Sequence, residues 1–252
     1  MALADEYRRQ FAWRAWPRVL DLLPDLTDQT VLDLGCGVGD LAAELVARGA
    51  RVIGVDGNDE LLAEARARGL ADAHFHRADL HALPALGPVD GVWCSFTAAY
   101  FPDLPAALAR WTADLRPGGW IALTEIDDMF GHEPLSPRTR ALLTGFADDA
   151  RAAGRYDFHM GRRLSASLRQ VGLEPFTVLD LPDAELAFTG PATPAVVDAW
   201  RRRLARMPLL QRFCGPEFAA LEHEFLTCLV RPEHTTTATV VCCLARKPGA
   251  PR

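Results

Sequence analysis

The chain has no long apolar run. Apolar residues make up 49% of its 252 residues, yet none of their runs approaches the roughly 18 consecutive residues that a membrane-spanning helix needs. The first ten residues carry charges from Asp5 onward and show neither the apolar core nor the small-residue cleavage site of a signal peptide. We therefore expect a soluble, cytoplasmic protein that makes no contact with a membrane.

Paired cysteines are also missing. The six cysteines are scattered, no two of them form a CxxC motif, and several lie inside apolar stretches, at positions 36, 94, 214, 228, 242 and 243. Zinc sites and disulfide frameworks need regular spacing. The pattern predicts buried free thiols, which suit a reducing compartment.

Lysine is almost absent, because the chain has 26 arginines and one lysine, with a net charge of -6. The basic residues are spread along the chain apart from the short cluster Arg201-Arg202-Arg203, which is typical of a solvated helix face. Nucleic-acid affinity depends on neutralising many phosphates with a sustained basic surface. We expect no nucleic-acid partner.

Hydrophobic periodicity over the first half of the chain alternates between strands and helices. Strands are predicted over residues 30–34, 51–55, 74–77, 89–95 and 120–125, and helices over residues 40–48, 59–68 and 104–115. Such alternation implies right-handed crossovers and a parallel sheet with helices on both faces. The predicted class is α/β with a Rossmann-like sheet.

The rest of the chain has a weaker rhythm. A helical lead-in interrupted by Pro17 is predicted over residues 5–23. Beyond Asp127 the pattern predicts helices over residues 138–153, 161–171, 193–207 and 216–230, and strands over residues 176–181 and 235–245. No internal repeat is visible, so we predict one domain over residues 1–252.

Three glycines follow the first predicted strand, at positions 35, 37 and 39 of the stretch VLDLGCGVGD. They allow a tight turn out of the strand and let a ligand contact bare backbone. A dinucleotide-binding fingerprint needs its third glycine at position 40, which is Asp40 here. A carboxylate repels a phosphate, so this turn favours a ligand without a pyrophosphate.

An acidic residue ends the second predicted strand. Asp56 follows the strand VIGV, seventeen residues after Gly39. A carboxylate at that strand end can accept hydrogen bonds from both ribose hydroxyls of an adenosine group. An NAD-dependent oxidoreductase would share the turn and the acidic residue, but Asp40 argues against that alternative.

The motifs VLDLGCGVGD, VIGVD, RADLHALP, VDGVWCSF and LRPGGWIALTE occur in this order between about Thr30 and Glu125. Together they resemble the class I S-adenosylmethionine (SAM)-dependent methyltransferases, in particular the small-molecule enzymes similar to those of ubiquinone biosynthesis. The resemblance implies a seven-stranded, mostly parallel sheet whose final two strands, 176–181 and 235–245, form an antiparallel pair.

The same resemblance implies how the chain is divided. Residues 1–29 would be a helical lead-in and residues 30–125 the cofactor-binding core, while the insertions 128–158 and 186–232 would cover the acceptor pocket. Ligands bind outside the carboxyl ends of parallel strands, which places that pocket above the sheet.

The resemblance also assigns cofactor-binding residues, with SAM as the cofactor. Asp33, Gly35 and Gly37 match positions beside its methionine part, and Asp56 matches the position on its ribose. Asn58 matches a position near the ribose or the adenine edge, and Asp79 the acceptor for the adenine amino group or, alternatively, a helix N-cap. Ser95 and Phe96 match the segment under the sulfonium. The predicted contact set is completed by their neighbours Cys36, Gly57, Ala78 and Leu80.

Methyl transfer from a sulfonium depends mainly on holding the reacting atoms in line, and it needs a base only for a protonated acceptor. His159 is the predicted base, with His132 and Tyr100 as rivals. Arg14 is predicted either to pair with the carboxylate of SAM or simply to pack its helix. Arg162 is predicted either to contact substrate or to cap a helix.

Missing motifs narrow the function further. The fourth strand is followed by Ser95-Phe96-Thr97-Ala98 and not by the Asn/Asp-Pro-Pro-Tyr/Phe run that marks methylation of exocyclic amines. The strand end also lacks the Asp of metal-dependent catechol-type enzymes, so no metal is expected. We predict methyl transfer to O, N or C of a small molecule by a monomer or homodimer.

One alternative remains open beside methyl transfer. A protein of this kind can retain SAM as a structural cofactor and bind or rearrange a ligand without transferring a methyl group. The arginine-rich, lysine-poor composition is typical of GC-rich bacterial genomes, where such enzymes often act in secondary metabolism.

Overall fold

The computed structural model describes residues 3–249, so residues 1–2 and 250–252 of the predicted domain lie outside the described part. Seven strands form the main sheet in the order β3-β2-β1-β4-β5-β9-β7. Their bounds are β1 Thr30–Leu34, β2 Arg51–Asp56, β3 Ala73–Arg77, β4 Val89–Ser95, β5 Leu115–Asp127, β7 Glu174–Leu181 and β9 Thr239–Arg246.

Strand direction follows the prediction. The pairs β1–β2, β2–β3, β1–β4 and β4–β5 are parallel, whereas β9 is antiparallel to both β5 and β7. The seven-stranded, mostly parallel sheet and the antiparallel pairing of the last two predicted strands are confirmed. A second sheet pairs β6 (His132–Glu133) with β8 (Thr235–Thr236).

Helices cover both faces of the main sheet. Their bounds are α1 Leu3–Phe11, α2 Trp16–Leu20, α3 Asp40–Ala47, α4 Asp59–Ala67, α5 Leu104–Trp111, α6 Pro137–Ala152, α7 Leu164–Gln170, α8 Pro194–Ala205, α9 Pro208–Cys214 and α10 Phe218–Leu229. Within residues 3–249 no helix combines the length and the apolar character needed to cross a membrane.

Successive residues of the central strands pack into two different cores. On β4, Trp93 belongs to a core shared with α2, α3, α4, α6, α8 and α10, while Val92 and Cys94 belong to a core shared with α5 and α7. Because alternate side chains of a strand point to opposite faces, the sheet lies between the two cores. All six cysteines are buried and free, as predicted.

Three predicted boundaries were wrong. The helix predicted over residues 104–115 ends at Trp111, and β5 begins at Leu115 instead of residue 120. The strand predicted over residues 235–245 is broken at Thr237, and the first part of that predicted strand joins the small sheet. The Thr237 hydroxyl donates to Asp128 Oδ2 at 2.5 Å. The short helix α9 was not predicted.

The lead-in also differs from the prediction. Its helix is interrupted before α2 rather than at Pro17, which lies in the first turn of α2. Proline is well tolerated there, because the first turn of a helix has no intrahelical partner for the missing N–H.

Candidate active site

A cavity of about 520 Å³ opens at the carboxyl ends of β1, β2 and β4. The strand order reverses between β1 and β4, and ligands of open α/β sheets bind at such a reversal. Its walls come from the lead-in, the strand ends and α8, through Leu3, Tyr7, Gln10, Phe11, Arg14, Trp16, Asp33, Gly35, Cys36, Gly37, Val38, Asp40, Leu41, Asp56, Gly57, Asn58, Leu61, Ala78, Asp79, Leu80, Ser95, Phe96, Thr97, Tyr100, Phe101, Met129, Tyr156, Leu186 and Arg203.

The glycine turn after β1 forms one wall. Gly35 has φ of 73°, and the amides of Gly35 and Cys36 both donate to the Val55 carbonyl at 2.8 and 3.1 Å. A Cβ at Gly35 would lie 2.1 Å from Thr97 Oγ1. Glycine is therefore required here by both the backbone conformation and the space.

Asp56 is held by the turn beside it. Its Oδ2 accepts a hydrogen bond from Gly37 N at 2.9 Å and its Oδ1 accepts one from Asn58 N at 2.8 Å. Asn58 in turn begins α4 as its N-cap, because its Oδ1 accepts from the amides of Glu60 and Leu61. Each Asp56 oxygen keeps a further lone pair for a ligand in the cavity.

Asp33 lies deeper, on β1. Its side chain is 2% exposed, and its Oδ2 is buried without a hydrogen-bond partner among the described residues. Burial, with a smaller contribution from the charge of Asp56, raises the pKa of Asp33 to about 7. A buried carboxyl with an unused oxygen at a cavity wall suits a cationic ligand group.

The third strand contributes a turn to the same cavity. Asp79 Oδ1 accepts from His81 N at 2.8 Å and so begins the 3-10 turn Leu80–Ala82. The helix-cap alternative for Asp79 is thus realised, and the residue also lines the cavity together with Ala78 and Leu80.

The end of β4 supplies Ser95 and Phe96. Ser95 Oγ accepts from Trp93 Nε1 at 2.8 Å. Phe96 has φ of 52°, and its ring lies 4.8 Å from the Arg14 guanidinium carbon and 6.0 Å from the Trp16 ring. All the cofactor-binding residues predicted from the sequence line this one cavity.

Arg14 is engaged by the protein itself. Its Nη1 donates to both carboxylate oxygens of Asp183, at 2.8 and 2.7 Å, and its Nη2 donates to Glu185 Oε2 at 2.7 Å. The guanidinium side chain is only 6% exposed. The bidentate pairing that was predicted toward a cofactor carboxylate is directed at Asp183 in this structure.

The predicted base His159 does not line the cavity. Its Nδ1 lies 3.9 Å from Asp127 Oδ1, and its amide donates to Asp157. The rival His132 is fully buried, with its Nδ1 3.0 Å from His234 Nε2. Tyr100 is the rival that does line the cavity.

Arg162 also lies outside the cavity lining. Its Nε donates to both oxygens of Asp127, at 2.7 and 2.9 Å. It therefore fastens the 3-10 turn Gly161–Arg163 to the end of β5. Within residues 3–249 no group of three or more His, Cys, Asp or Glu side chains is placed to hold a metal ion.

The prediction that the arginine cluster on α8 forms a solvated face was wrong for Arg203. The Arg201 side chain is 56% exposed, but that of Arg203 is 19% exposed, pairs with Glu185 and lines the cavity. The signal was present in the sequence, because position 203 follows buried Val196 and Trp200 by seven and three residues, on one helix face.

All the tyrosines of the chain lie at the cavity. The chain has three tyrosines, and Tyr7, Tyr100 and Tyr156 all line the cavity. The rings of Tyr100 and Tyr156 pack edge to face at 4.8 Å. Burial is the main cause that raises the pKa of each tyrosine.

Known proteins resemble this chain in sequence and in fold. Residues 31–119 match the model of the methyltransferase domain. Over 116 residues the chain is 42% identical to nocamycin O-methyltransferase of Saccharothrix syringae, covering 42% of this chain and 41% of that protein. Over 164 residues it is 32% identical to a ubiquinone biosynthesis O-methyltransferase of Bordetella bronchiseptica, covering 60% and 64%.

The chain spans about two fifths of the length of the first curated relatives that it matches. A solved S-adenosylmethionine-dependent methyltransferase from Mesorhizobium loti has the same fold, with a TM-score of 0.55, 23% identity and coverage of 92% of this chain and 96% of that chain. The matched domain, residues 31–119, contains the glycine turn, Asp56 and Asp79.

Proposed function

We propose that this chain is a class I SAM-dependent methyltransferase that transfers the methyl group of SAM to a small-molecule acceptor, and its similarity to such proteins supports the proposal. The observation that carries the proposal is the convergence of three features on one cavity. These are the bare backbone at Gly35 and Gly37, the fixed carboxylate of Asp56, and the unpartnered carboxyl oxygen of Asp33.

The residues present fit SAM. Its ribose diol matches the open lone pairs of Asp56. Its positive charges match Asp33, whose buried Oδ2 has no partner among the described residues. Asn58, Asp79 and the neighbouring backbone would surround the adenosine, and Ser95 with Phe96 would lie near the sulfonium.

Bound SAM supplies an activated methyl group on a leaving group that becomes neutral. The protein's contribution is then to orient the acceptor and exclude water, and proximity and orientation can supply roughly 7–11 kcal/mol. The lead-in and the insertions 128–158 and 186–232 support this role, because Tyr7, Met129, Tyr156, Leu186 and Arg203 from these segments line the cavity.

Some finer aspects of the function rest on the sequence. We propose that the chain forms one domain, acts in the cytoplasm in secondary metabolism, works as a monomer or homodimer, and has no nucleic-acid substrate. We assign His159 no part in the chemistry, because it does not line the cavity.

Calorimetry with SAM, S-adenosylhomocysteine and NAD tests the cofactor. We expect SAM and its demethylated product to bind and NAD not to bind. Asp56→Asn should raise the Kd for SAM roughly 10- to 100-fold, because a hydrogen bond to a charged group contributes about 1.5–3 kcal/mol. Asp72→Asn, an exposed carboxylate before β3, is the matched control and should leave the Kd unchanged.

Formation of S-adenosylhomocysteine with an acceptor panel tests the activity. Tight SAM binding without turnover over a broad panel would favour the alternative of a retained, structural cofactor. Binding of NAD in place of SAM would overturn the proposal in favour of an oxidoreductase.

A further inference from the structure

One part of the cavity is built from elements other than the glycine turn and the strand ends that carry the predicted cofactor residues. It is formed by side chains from α1, from the 3-10 turn Ala98–Tyr100, from the segment after α6 and from α8, and we call it the acceptor wall. Its polar members are Tyr7, Gln10, Tyr100, Tyr156 and Arg203. Arg203 and the three tyrosines line the same cavity, and the positive charge of Arg203 opposes the increase in pKa of each tyrosine.

The acceptor wall holds no carboxylate and no histidine among the described residues. Among the described residues, the carboxylates that line the cavity lie on or shortly after β1, the glycine turn, β2 and β3, on the cofactor side; they are Asp33, Asp40, Asp56 and Asp79. Glu125 lies near the wall but is fully buried and outside the cavity lining, and its oxygens accept from the amides of Ala99 and Ile126. Within residues 3–249, the acceptor wall therefore offers no ordinary general base.

The tyrosines do not replace that base. Burial raises their pKa above the ordinary value, which is already near 10, so that the hydroxyls are neutral at physiological pH. A neutral phenol at a cavity wall is a good hydrogen-bond donor and a poor proton acceptor. The wall is thus equipped to donate hydrogen bonds rather than to remove a proton.

Arg203 adds a charged donor. Its Nη2 donates to the fully buried Glu185, its guanidinium carbon lies 5.3 Å from the Trp200 ring centroid, and its Nε has no partner among the described residues. Since Glu185 also pairs with Arg14, the carboxylate is shared between two guanidinium groups. Nε itself is buried, but the Arg203 side chain is 19% exposed and lines the cavity, so guanidinium N–H groups that Glu185 does not use can donate to an anionic ligand.

Apolar side chains surround these donors. Phe11, Met129 and Leu186 line the cavity beside the polar groups. An acceptor held there would present one polar end to Arg203 and the tyrosines and an apolar body to the remaining wall.

We infer that the methyl acceptor, if methyl transfer is the function as proposed above, is a carboxylate carried by a small apolar molecule. A carboxylate oxygen forms the new O–CH3 bond while the bond from sulfur to that methyl breaks, and its electron pair stays on sulfur. The products are a neutral methyl ester and a neutral thioether. No proton is released, which is why a wall without a base suffices.

Binding to the protein loaded with S-adenosylhomocysteine tests the acceptor class. Phenylacetate and its matched amide, phenylacetamide, are titrated by calorimetry, with 4-methylphenol and benzylamine as the phenol and amine probes. We expect phenylacetate to bind at least tenfold more tightly than the amide, through charge-assisted hydrogen bonds. Preference for the phenol or amine, or equal affinity for acid and amide, overturns the inference.

Turnover with methyl-labelled SAM gives a chemical readout. The label should appear in a product that releases methanol in mild alkali, as a methyl ester does. Because carboxylic acids titrate near pH 4, the rate at saturating SAM should be flat from pH 6.5 to 9. A rate that rises about tenfold per pH unit would show a protonated acceptor and contradict the inference. Loss of SAM binding would instead count against the proposed function.

Arg203→Gln tests the residue assignment. We expect the acid to bind roughly tenfold or more weakly while the Kd for SAM changes less than twofold, with partial recovery in Arg203→Lys. Arg201→Gln, on the exposed side of the same helix, is the matched control and should behave as wild type. Should Arg203→Gln unfold, Tyr156→Phe keeps the ring packing and should weaken acid binding severalfold. Unchanged acid affinity in both variants overturns the inference.

Discussion

Asp33 and Asp56 lie on the ends of neighbouring strands, and their environments differ. Asp56 is oriented by two amide hydrogen bonds, whereas Asp33 has a buried oxygen without a partner among the described residues and a pKa raised to about 7. Burying a carboxyl without full compensation destabilises the folded protein. Its position at the cavity suggests that this strain is relieved when a cationic ligand binds.

Gly35 is the residue at which substitution should have the clearest steric effect. Gly35→Ala would place a Cβ 2.1 Å from Thr97 Oγ1 and force alanine to adopt φ of 73°. A left-handed conformation costs an alanine roughly 1–2 kcal/mol, and overpacking adds about 1–3 kcal/mol. Denaturant unfolding should therefore show that Gly35→Ala lowers the free energy of unfolding by about 2–5 kcal/mol.

Gly69→Ala separates the two contributions. Gly69 has a similar φ of 64°, but a Cβ there would have nothing within 4 Å. In this variant the free energy of unfolding should decrease only by the cost of the left-handed backbone conformation, about 1–2 kcal/mol. Equal decreases in the free energy of unfolding of both variants would show that contact with Thr97 does not destabilise Gly35→Ala.

At the scale of elements, α1 is fastened over the cavity by polar contacts to distant parts of the chain. Glu6, which is 3% exposed, accepts from Arg206 Nη1 at 2.7 Å beyond α8. Arg8 pairs with Glu64 of α4, and Gln10 Nε2 lies 3.3 Å from Glu185 Oε1. Because Tyr7 and Gln10 of this helix line the cavity, its anchoring and ligand binding should be coupled.

Glu6→Gln tests that coupling. Arg206 is 48% exposed, so the lost pair contributes only about 1 kcal/mol, which corresponds to roughly fivefold in an equilibrium. We expect faster hydrogen exchange over residues 3–11 and a severalfold higher Kd for SAM.

Asp5→Asn serves as the comparison on the same helix. The Asp5 side chain is 54% exposed and lies 3.5 Å from Arg8. Its removal should change neither the exchange rate nor the Kd. An unchanged exchange rate in Glu6→Gln would show that the ion pair does not anchor α1.

The sequence predicted the interior of each helix and strand more accurately than its ends. The rhythm of apolar residues predicted the five parallel strands, because β1, β4 and most of β5 are buried on both faces and the edge strand β3 alternates buried and exposed residues. The boundary between α5 and β5 was misplaced, since Leu115 pairs with Val89 of β4. That contact is made across the sheet and leaves no local trace.

At the scale of the whole molecule, two buried histidines connect segments that are far apart in the chain. His132 of β6 and His234, which precedes β8, stack at 5.2 Å among Phe188, Trp200 and Phe225. His234 Nδ1 lies 3.0 Å from the Gly190 carbonyl oxygen, and the Arg140 guanidinium donates to the His132 carbonyl. Burial lowers the pKa of His132 to about 3 and lowers that of His234 as well.

Acid should therefore destabilise the protein through this pair. A histidine in the unfolded chain titrates near 6.5, so below that pH the unfolded state binds more protons than the folded state. The free energy of unfolding should decrease as pH falls from about 6.5 toward 3, by up to about 1.4 kcal/mol per pH unit for His132. Denaturant unfolding at several pH values measures this slope.

The variant His132→Gln separates the contribution of His132 to the pH dependence of stability from that of the carboxylates. It removes the titrating ring and keeps an N–H donor, so its slope below pH 6.5 should be shallower than that of wild type. His223→Gln, an exposed histidine on α10, should keep the wild-type slope. Identical slopes in all three proteins would rule out this role for His132.

The sequence by itself determined the sheet, the glycine turn and the residues offered to the cofactor. These depend on local rules, namely side-chain periodicity, glycine at positive φ and a carboxylate at a strand end. Only the tertiary structure decided that Arg203, Tyr7 and Tyr156 share the cavity, that Arg14 pairs with Asp183, and that His159 lies outside. Those outcomes depend on how segments far apart in the chain pack together, and a local pattern gives at most the helix face that a residue shares, as it does for Arg203.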